Sequence, residues 1–516
     1  MCNKATFWVG AAMTLLLAGC VTGPDYRRPE LNTPTAYKSA TPAETAPPDL
    51  TRDWWRLFND SELNALAEEA VSANQELKAA IARVEQSRAS ARSVKSAFFP
   101  VVTLDPSANR ARTPGSEAED ASLDEKLSQA SSKIGQVTNL VNSLNSTTGG
   151  GAASSASALR GLLSDSSTNS DVPATTSSRY QVPFDLSYEI DIWGRVQRSY
   201  ESAQAQAQAT VYDLEVVRQT LLADLARNYF NLRSFDAQYE ILTRNLALYQ
   251  EQVDLTSNQY IAGLISETNL LQAQVQLEST RAQAADTLRQ RTDLEHAIAI
   301  LLGRAPAQFT LDPRPLDATP PVVPAGMPAD ILLRRPDVAE AEQNLVSASA
   351  EIGVAQAEFF PSVKLTGSAG FQSSDIKSVL DWSNRTWSLG PSVSVPLFKG
   401  GQLKANLQQA RARYDELEAS YRQTVLSAFV DVEDALTDLH MRADAAEAQA
   451  KAVAAAREYL RLTQIEYQSG VVDYLNVVNA EQTLINNELT EAQILNQRMV
   501  STVLLMKALG GGWQAG

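Results

Sequence analysis

Tyr260-Ile261-Ala262-Gly263-Leu264-Ile265-Ser266 is answered, at a shift of 207 residues (260 to 467), by Tyr467-Gln468-Ser469-Gly470-Val471-Val472-Asp473. Each glycine ends a long stretch without Pro or Gly, residues 196–261 in the first copy and 403–469 in the second. Good helix formers dominate both stretches, and at 1.5 Å per residue each predicts a helix of roughly 100 Å. Gly263 and Gly470 fit the left-handed position that closes a helix. Ser266 and Asp473, three residues on, are good N-caps for returning helices over 267–302 and 474–509. The pattern is a helical hairpin with a very tight tip, made twice. No single small core can wrap helices of this length, so they require neighbouring helices along their flanks.

The register holds well beyond the tip. The same shift carries Gly194 to Gly401, Ala203 to Ala410, Asp224 to Asp431, Ala273 to Ala480, and Leu302-Gly303 to Leu509-Gly510. Such a period is too long for a solenoid and marks a duplicated half-molecule. Phe98-Phe99-Pro100 also returns as Phe359-Phe360-Pro361, at a shift of 261 (98 to 359). The two shifts differ by 54 residues, which places an insertion in the first half. Residues 106–178 are rich in Ser, Ala, Gly and Asn and read as an exposed loop with little apolar area to bury. The expected plan is therefore a first repeat over 62–303, a Pro-rich connector over 304–336 and a second repeat over 337–510, with a short tail over 511–516. Further helical stretches over 62–97 and 337–358 precede the two Phe-Phe-Pro motifs.

After each Phe-Phe-Pro the period changes to two. Tyr180, Val182, Phe184, Leu186, Tyr188 and Ile190 alternate with polar neighbours, as do Val363, Leu365, Ala369 and Phe371, and then Trp387, Leu389, Val393 and Val395. Four strands are predicted, at about 100–110, 179–193, 361–372 and 386–398. Their length and two-faced pattern suit transmembrane β-strands, and no run of about 18 apolar residues could supply a spanning helix. Four strands cannot close a barrel, and open sheet edges are not tolerated in lipid. Two copies would give eight strands and a filled interior; three give twelve and leave room for water. The fold class that follows is an α+β membrane protein. A conduit favours three chains, each giving four strands, which close a twelve-stranded β-barrel and set the long helices around one axis as a hollow α-helical barrel.

The remaining features fix compartment and exclude chemistry. Lys4, the apolar residues 7–18 and Leu17-Ala18-Gly19-Cys20 have the layout of an export signal over residues 1–19. Small residues before a cysteine resemble a bacterial lipobox, which makes Cys20 the lipidation candidate and residues 20–61 a lipid-anchored extended segment. Val21 follows where lipoproteins kept at the inner membrane carry Asp. With 60 Asp+Glu against 44 Lys+Arg and a formal charge of −16, nucleic acid is excluded as a partner. His296 and His440 are the only histidines, and no nucleotide loop, metal cluster or nucleophile motif stands out, so neither enzymatic activity nor a metal or cofactor is expected. A non-conducting coiled-coil scaffold would explain the helices but not the amphipathic strands.

Four motifs in order resemble the outer-membrane-factor family, the outer membrane efflux proteins, in its lipoprotein branch. They are Cys20-Val21-Thr22-Gly23-Pro24-Asp25-Tyr26-Arg27-Arg28-Pro29, then Trp54-Trp55 with Phe58, then Leu333-Arg334-Arg335-Pro336-Asp337-Val338, then Ala508-Leu509-Gly510-Gly511-Gly512-Trp513. The resemblance implies a homotrimeric outer-membrane channel-tunnel that conducts exported small molecules passively, its β-barrel continuous with a long periplasmic α-helical barrel. A periplasmic membrane-fusion adaptor would link it to an inner-membrane transporter; an exit duct for type I-like protein secretion is the alternative. It also implies that Gly263, Leu264, Ser266, Gly470, Val471, Val472 and Asp473 meet the adaptor at the hairpin tips. Tyr467, Asn479 and Gln482 would form the periplasmic gate. Family members often carry Asp and Arg where this chain has Asn479 and Gln482, so a ring of charges is reduced to amides. If Cys20 is acylated, labelled palmitate enters the wild-type protein and not Cys20→Ala, whose yield falls while its channel architecture persists, because the barrel also anchors it. An unlabelled wild-type protein would remove the lipid from this account.

Overall fold

The computed structural model describes residues 21–39, 51–113, 174–316, 318–330 and 334–513. Cys20, Leu333 and residues 114–173 of the predicted insertion lie outside the described residues. The chain divides into a helical unit of Met1–Ser96, Asp191–Phe360 and Pro396–Gly516, and a sheet unit of Ala97–Ile190 and Pro361–Val395.

In the helical unit, α1 (Ser61–Ala73) and α2 (Gln75–Lys95) replace the single helix expected over 62–97. Asn74 causes the break. Its side chain accepts from the Leu77 amide at 2.8 Å and donates to the Leu301 carbonyl at 2.9 Å, so capping a new helix competes successfully with continuing the old one. The long helices are α3 (Arg195–Ile261) and α6 (Gln402–Gln468), each of 67 residues. Each returns through a helix of 35 residues, α4 (Glu267–Leu301) and α7 (Tyr474–Ala508). Between them lies α5 (Pro336–Ala357). The equal lengths fit duplication of one hairpin.

The core of this unit gathers at the middle of the long helices. Leu221, Leu222, Leu225, Tyr229 and Phe230 of α3 and Tyr421, Val425, Ala428 and Val432 of α6 are buried there, with Met499, Val503 and Met506 of α7. Trp54, Trp55 and Phe58 complete it, the Phe58 ring lying 4.8 Å from that of Phe230. A charged layer sits beside the apolar one. Arg233, only 1% exposed, donates to Glu62, to Asp236 at 2.7 Å and to the Asp312 carbonyl at 2.7 Å. Arg291 donates to Asp236 at 2.6 Å and to the Leu311 carbonyl at 2.5 Å, and Glu295 accepts the Leu311 amide at 2.6 Å. These bonds strap connector residues 311 and 312 to α1, α3 and α4.

The motifs that carried the resemblance now have physical roles. Arg28 is bidentate to Glu342, at 2.7 and 2.5 Å, and Arg335 bridges Asp337 at 2.6 Å to Asp431 at 2.8 Å. Gly510 has φ 88°, and a Cβ there would lie 1.9 Å from the Arg334 carbonyl oxygen, so only glycine permits this passage. Trp513, buried, meets the Tyr212 ring edge-on at 5.4 Å.

The sheet unit is antiparallel: β1 (Val101–Leu104) and β2 (Ser107–Thr113) both pair with β3 (Thr175–Ile190), which pairs with β4 (Ser362–Ser373), which pairs with β5 (Arg385–Ser394). The strand expected at about 100–110 is thus two segments on one edge of β3. Leu104 faces Phe184 and Ser107 faces Gln181, so the register survives the gap. Pro106, which has no N–H to give, interrupts the ladder there. Residues 111–113 and 175–178, placed in the loop by composition, are strand. The strands expected to end at 193 and 398 stop at Ile190 and Ser394. Asp191 instead accepts the amides of Val196 at 3.0 Å and Gln197 at 2.8 Å, which starts α3. Rows across the sheet are consistent in character. Phe184–Ala369–Trp387 and Ile190–Val363–Val393 lie on one face; Asp185–Ser368–Ser388 and Glu189–Lys364–Ser392 lie on the other. Trp387 is 78% exposed in a single chain.

Candidate functional site

Both hairpin tips close with the same backbone geometry. The Gly263 amide donates to the Tyr260 carbonyl at 2.8 Å and the Leu264 amide to Gln259 at 2.9 Å. The Gly470 amide donates to Tyr467 at 3.0 Å and the Val471 amide to Glu466 at 2.9 Å. With φ of 71° and 73°, Gly263 and Gly470 are left-handed closures of the Schellman type. Neither has an atom within 4 Å of a built Cβ, so backbone conformation, not crowding, demands glycine. Ser266 and Asp473 occupy the N-cap positions with extended backbone, but their side chains make no bond to the helix backbone. The Ser266 hydroxyl meets Asn269 Oδ1 at 3.3 Å, and Asp473 Oδ1 accepts Asn476 Nδ2 at 2.7 Å. In place of the expected caps, each side chain pairs with an asparagine one turn on. Leu264 and Val471 stand 74% and 73% exposed, while Val472 is half-buried.

The three residues predicted for the gate do not converge within the chain. Asn479 and Gln482 lie three residues apart on one open face of α7, and their side chains bond to no described residue. Tyr467 turns instead toward Tyr474, with ring centroids 5.9 Å apart. The two amides have their hydrogen-bonding capacity free for a partner from outside the chain.

Two residues at this end went unnoticed in the sequence. Glu488, 12% exposed, accepts Arg244 at 2.5 Å from α3 and Arg457 at 3.0 Å from α6, tying three helices together. Glu481 lies on the packed face of α7, in the stripe Tyr474, Val477, Glu481, Ile485. Its Oε2 is buried with no hydrogen-bond partner among the described residues, and burial pushes the carboxyl up to about 7. Burial and then the facing Glu481 raise both Tyr474 and Tyr249, the latter to about 12. Around Tyr249 the tip-proximal core is small: Leu277 and Ile485, with Val253 and Leu489 against them. A carboxylate at an apolar position of a 3–4–4 spacing was the available signal for Glu481. Among the described residues no three His, Cys, Asp or Glu side chains are placed to hold a metal ion.

The family model described as outer membrane efflux protein matches residues 147–304 and 327–511. The chain belongs to the outer membrane efflux protein family. Among relatives of this family, the cation efflux system protein CusC of Escherichia coli O6:H1 is 29% identical over 99% of both chains. The solvent efflux pump outer membrane protein SrpC of Pseudomonas putida is 30% identical over 97% of both. Among solved structures, the outer-membrane channel OprN superposes with a TM-score of 0.80 at 29% identity, covering 96% of this chain and 100% of the other. The open state of the Neisseria gonorrhoeae MtrE outer membrane channel gives 0.72 at 26% identity, covering 96% and 98%.

Glu481 makes this efflux-family chain's tip sensitive to pH. A folded-state pKa raised to about 7, above the ordinary carboxylate range, gives stability that is present in acid and lost as pH rises through 7. Between pH 6 and 8 the protection of amides around Tyr474–Ile485 against hydrogen exchange, corrected for intrinsic rate, should fall about tenfold. Glu481→Gln should abolish that fall and keep protection at pH 8. An identical pH profile in the variant would show that Glu481 ionises at no cost to the tip.

Proposed function

We propose that this chain is the outer-membrane exit duct of a tripartite efflux system, three copies enclosing one continuous passage. The carrying observation is that a sheet four strands wide, apolar on one face and polar on the other, shares a chain with two 67-residue helical hairpin arms. In hydrocarbon the free edges of β1–β2 and β5 must find strands, and two further copies supply them to make twelve. The polar rows then line water and the apolar rows face lipid, as in porin-type barrels. The same threefold repetition sets the α3–α4 and α6–α7 hairpins side by side as a periplasmic α-barrel. The protein sits in the outer membrane, and export through it is passive, driven upstream, so no cofactor beyond the lipid on Cys20 is required.

The tips, at the far ends of the 67-residue helices, are the docking point for a periplasmic adaptor, which joins them to an inner-membrane transporter. Leu264 and Val471 give apolar grip, and Ser266 and Asp473 give polar register. Tyr467, Asn479 and Gln482 narrow the resting entrance, with the unpaired amides bonding between neighbouring chains. Glu481 stands behind that face, so packing at the entrance and its ionisation are linked. The weakly cored tip is the kind of two-state element that a partner can bias.

Reconstituted in a planar bilayer, the protein should give discrete conductance steps. Replacing Asn479 and Gln482 together with Ala should raise single-channel conductance and sensitise cells to large antibiotics such as vancomycin. Unchanged conductance and sensitivity in an assembled trimer would move the gate elsewhere; absence of any conductance would remove the duct. Cysteines at Ser266 or Asp473 should cross-link in cells to the adaptor encoded for the same pump. Failure at every tip position, with transport intact, would place the adaptor contact on another surface.

A further inference from the structure

The last two turns of α2 concentrate positive charge in a chain whose formal net charge is −16. Arg88, Arg92 and Lys95 follow at intervals of four and three and so share one face of the helix. They line a cavity of about 300 Å³ whose other wall, on α3, is formed by Tyr200, Gln204 and Gln208. Among the described residues no acidic side chain lines it. Arg88 has a carboxylate partner, Glu85, at 3.3 Å on its own exposed helix face. Arg92 and Lys95 pair with no carboxylate among the described residues. The Lys95 ammonium lies instead 5.7 Å from the centre of the Tyr200 ring. Three cations, two amides and an aromatic ring around one hollow offer an anion both charge and hydrogen-bond donors.

The position of the hollow indicates which anion. The α3 residues of the cavity begin at Tyr200, half a turn beyond Arg198. Arg198 holds the start of the N-terminal segment, donating to the Thr22 carbonyl at 3.2 Å and to Asp25 at 2.9 Å, before that segment continues over α5 and α6 through Arg28–Glu342 and Lys38–Glu433. The cavity therefore lies toward the end of α3 at which the segment following Cys20 enters, which in a lipid-anchored chain is the lipid end. Lys95 also precedes the strand residue Val101 by six residues, which the chain cannot stretch beyond about 20 Å. Cationic stems and a tyrosine at that distance from a membrane strand suit the headgroup layer.

We propose that Arg88, Arg92, Lys95 and Tyr200, with Gln204 and Gln208, form a binding site for the phosphate headgroup of an anionic glycerophospholipid in the inner leaflet of the outer membrane. The proposal rests on the outer-membrane placement of the strands and goes beyond the duct function. The guanidinium groups of Arg88 and Arg92 grip phosphate oxygens in pairs, Lys95 adds a point charge, and the two amides donate to the glycerol side. A zwitterionic headgroup brings its own ammonium or choline into a hollow with no carboxylate to meet it, so it binds less well.

The full-length protein in mild detergent, incubated with phosphatidylglycerol, phosphatidylethanolamine or phosphatidylcholine, can be read by native mass spectrometry. Wild type should retain phosphatidylglycerol at least about fivefold over phosphatidylcholine, as expected for several cations acting together on one anionic headgroup. In Arg88→Gln/Arg92→Gln/Lys95→Gln the ratio should fall close to one. The control Lys78→Gln/Arg83→Gln, which removes two charges from the same helix outside the cavity, should keep it. Millimolar inorganic phosphate should not displace the lipid. Equal retention of the lipids by wild type, undiminished preference in the triple variant, or displacement by phosphate, which would reveal a site for free anions, would each overturn the assignment. A protein that conducts and fractionates with the outer membrane but lacks lipid preference sinks this inference alone; one that leaves the outer membrane sinks the reading beneath it.

Discussion

A β-sheet that ends inside hydrocarbon leaves a row of backbone N–H and C=O groups with nothing to bond, and everything else in this protein is arranged around that prohibition. One chain is four strands wide, with β1–β2 at one edge and β5 at the other. Its apolar rows, Phe184–Ala369–Trp387 among them, have no core to enter and are stable only against lipid. Proline at position 106 weakens one edge of the ladder without shifting its register, because the partners on β3 continue in step on both sides. The edges call for strands from outside the chain, which the proposed ring of three supplies. The helices carry the same demand. Leu426, Val430, Leu462 and Ile465 on α6 are exposed in one chain, positions that a neighbouring helix would cover.

What one chain does fix for itself is the waist of the helical unit. Arg233, Asp236, Arg291 and Glu295 lie buried beside the Trp54–Phe58 cluster, each charge met by an opposite charge and a backbone group. Buried ion pairs contribute little net stability, since desolvation offsets most of the attraction, but they fix geometry because any other arrangement strands a charge. Here that geometry holds connector residues 311–312 against the helices of the first repeat. Away from the waist the apolar core thins to the small group around Tyr249, Leu277 and Ile485. The hairpin ends accordingly carry less apolar packing than the middle of the unit. Glu481 sharpens this, since a carboxylate with an unbonded oxygen among tyrosines keeps the packing there marginal.

The sequence by itself determined the elements whose signals are local. Long stretches without Pro or Gly ended by Gly263 and Gly470, and the period of two after each Phe-Phe-Pro, depend only on backbone preference and on which face is apolar, so helices, tips and strands could be placed without coordinates. Sequence also exposed the duplication, because a constant shift needs no tertiary information. Tertiary structure decided whatever depends on partners distant in the chain. Asn74 breaks a helix because the Leu301 carbonyl is there to receive its amide, and Gly510 is obligatory because the Arg334 carbonyl passes beside it. Ser266 and Asp473 look like caps to any local reading, yet each is drawn into a side-chain pair with Asn269 or Asn476. Asn479 and Gln482 were legible as neighbours on one face, whereas the turning of Tyr467 toward Tyr474 was not. Glu481 and Glu488 are two more acids in an acidic chain until packing shows one buried without a bond and the other clasped by arginines from two other helices. Charge in a sequence has no energy until its surroundings are known, because the cost of a carboxylate is set by the water and the partners it keeps.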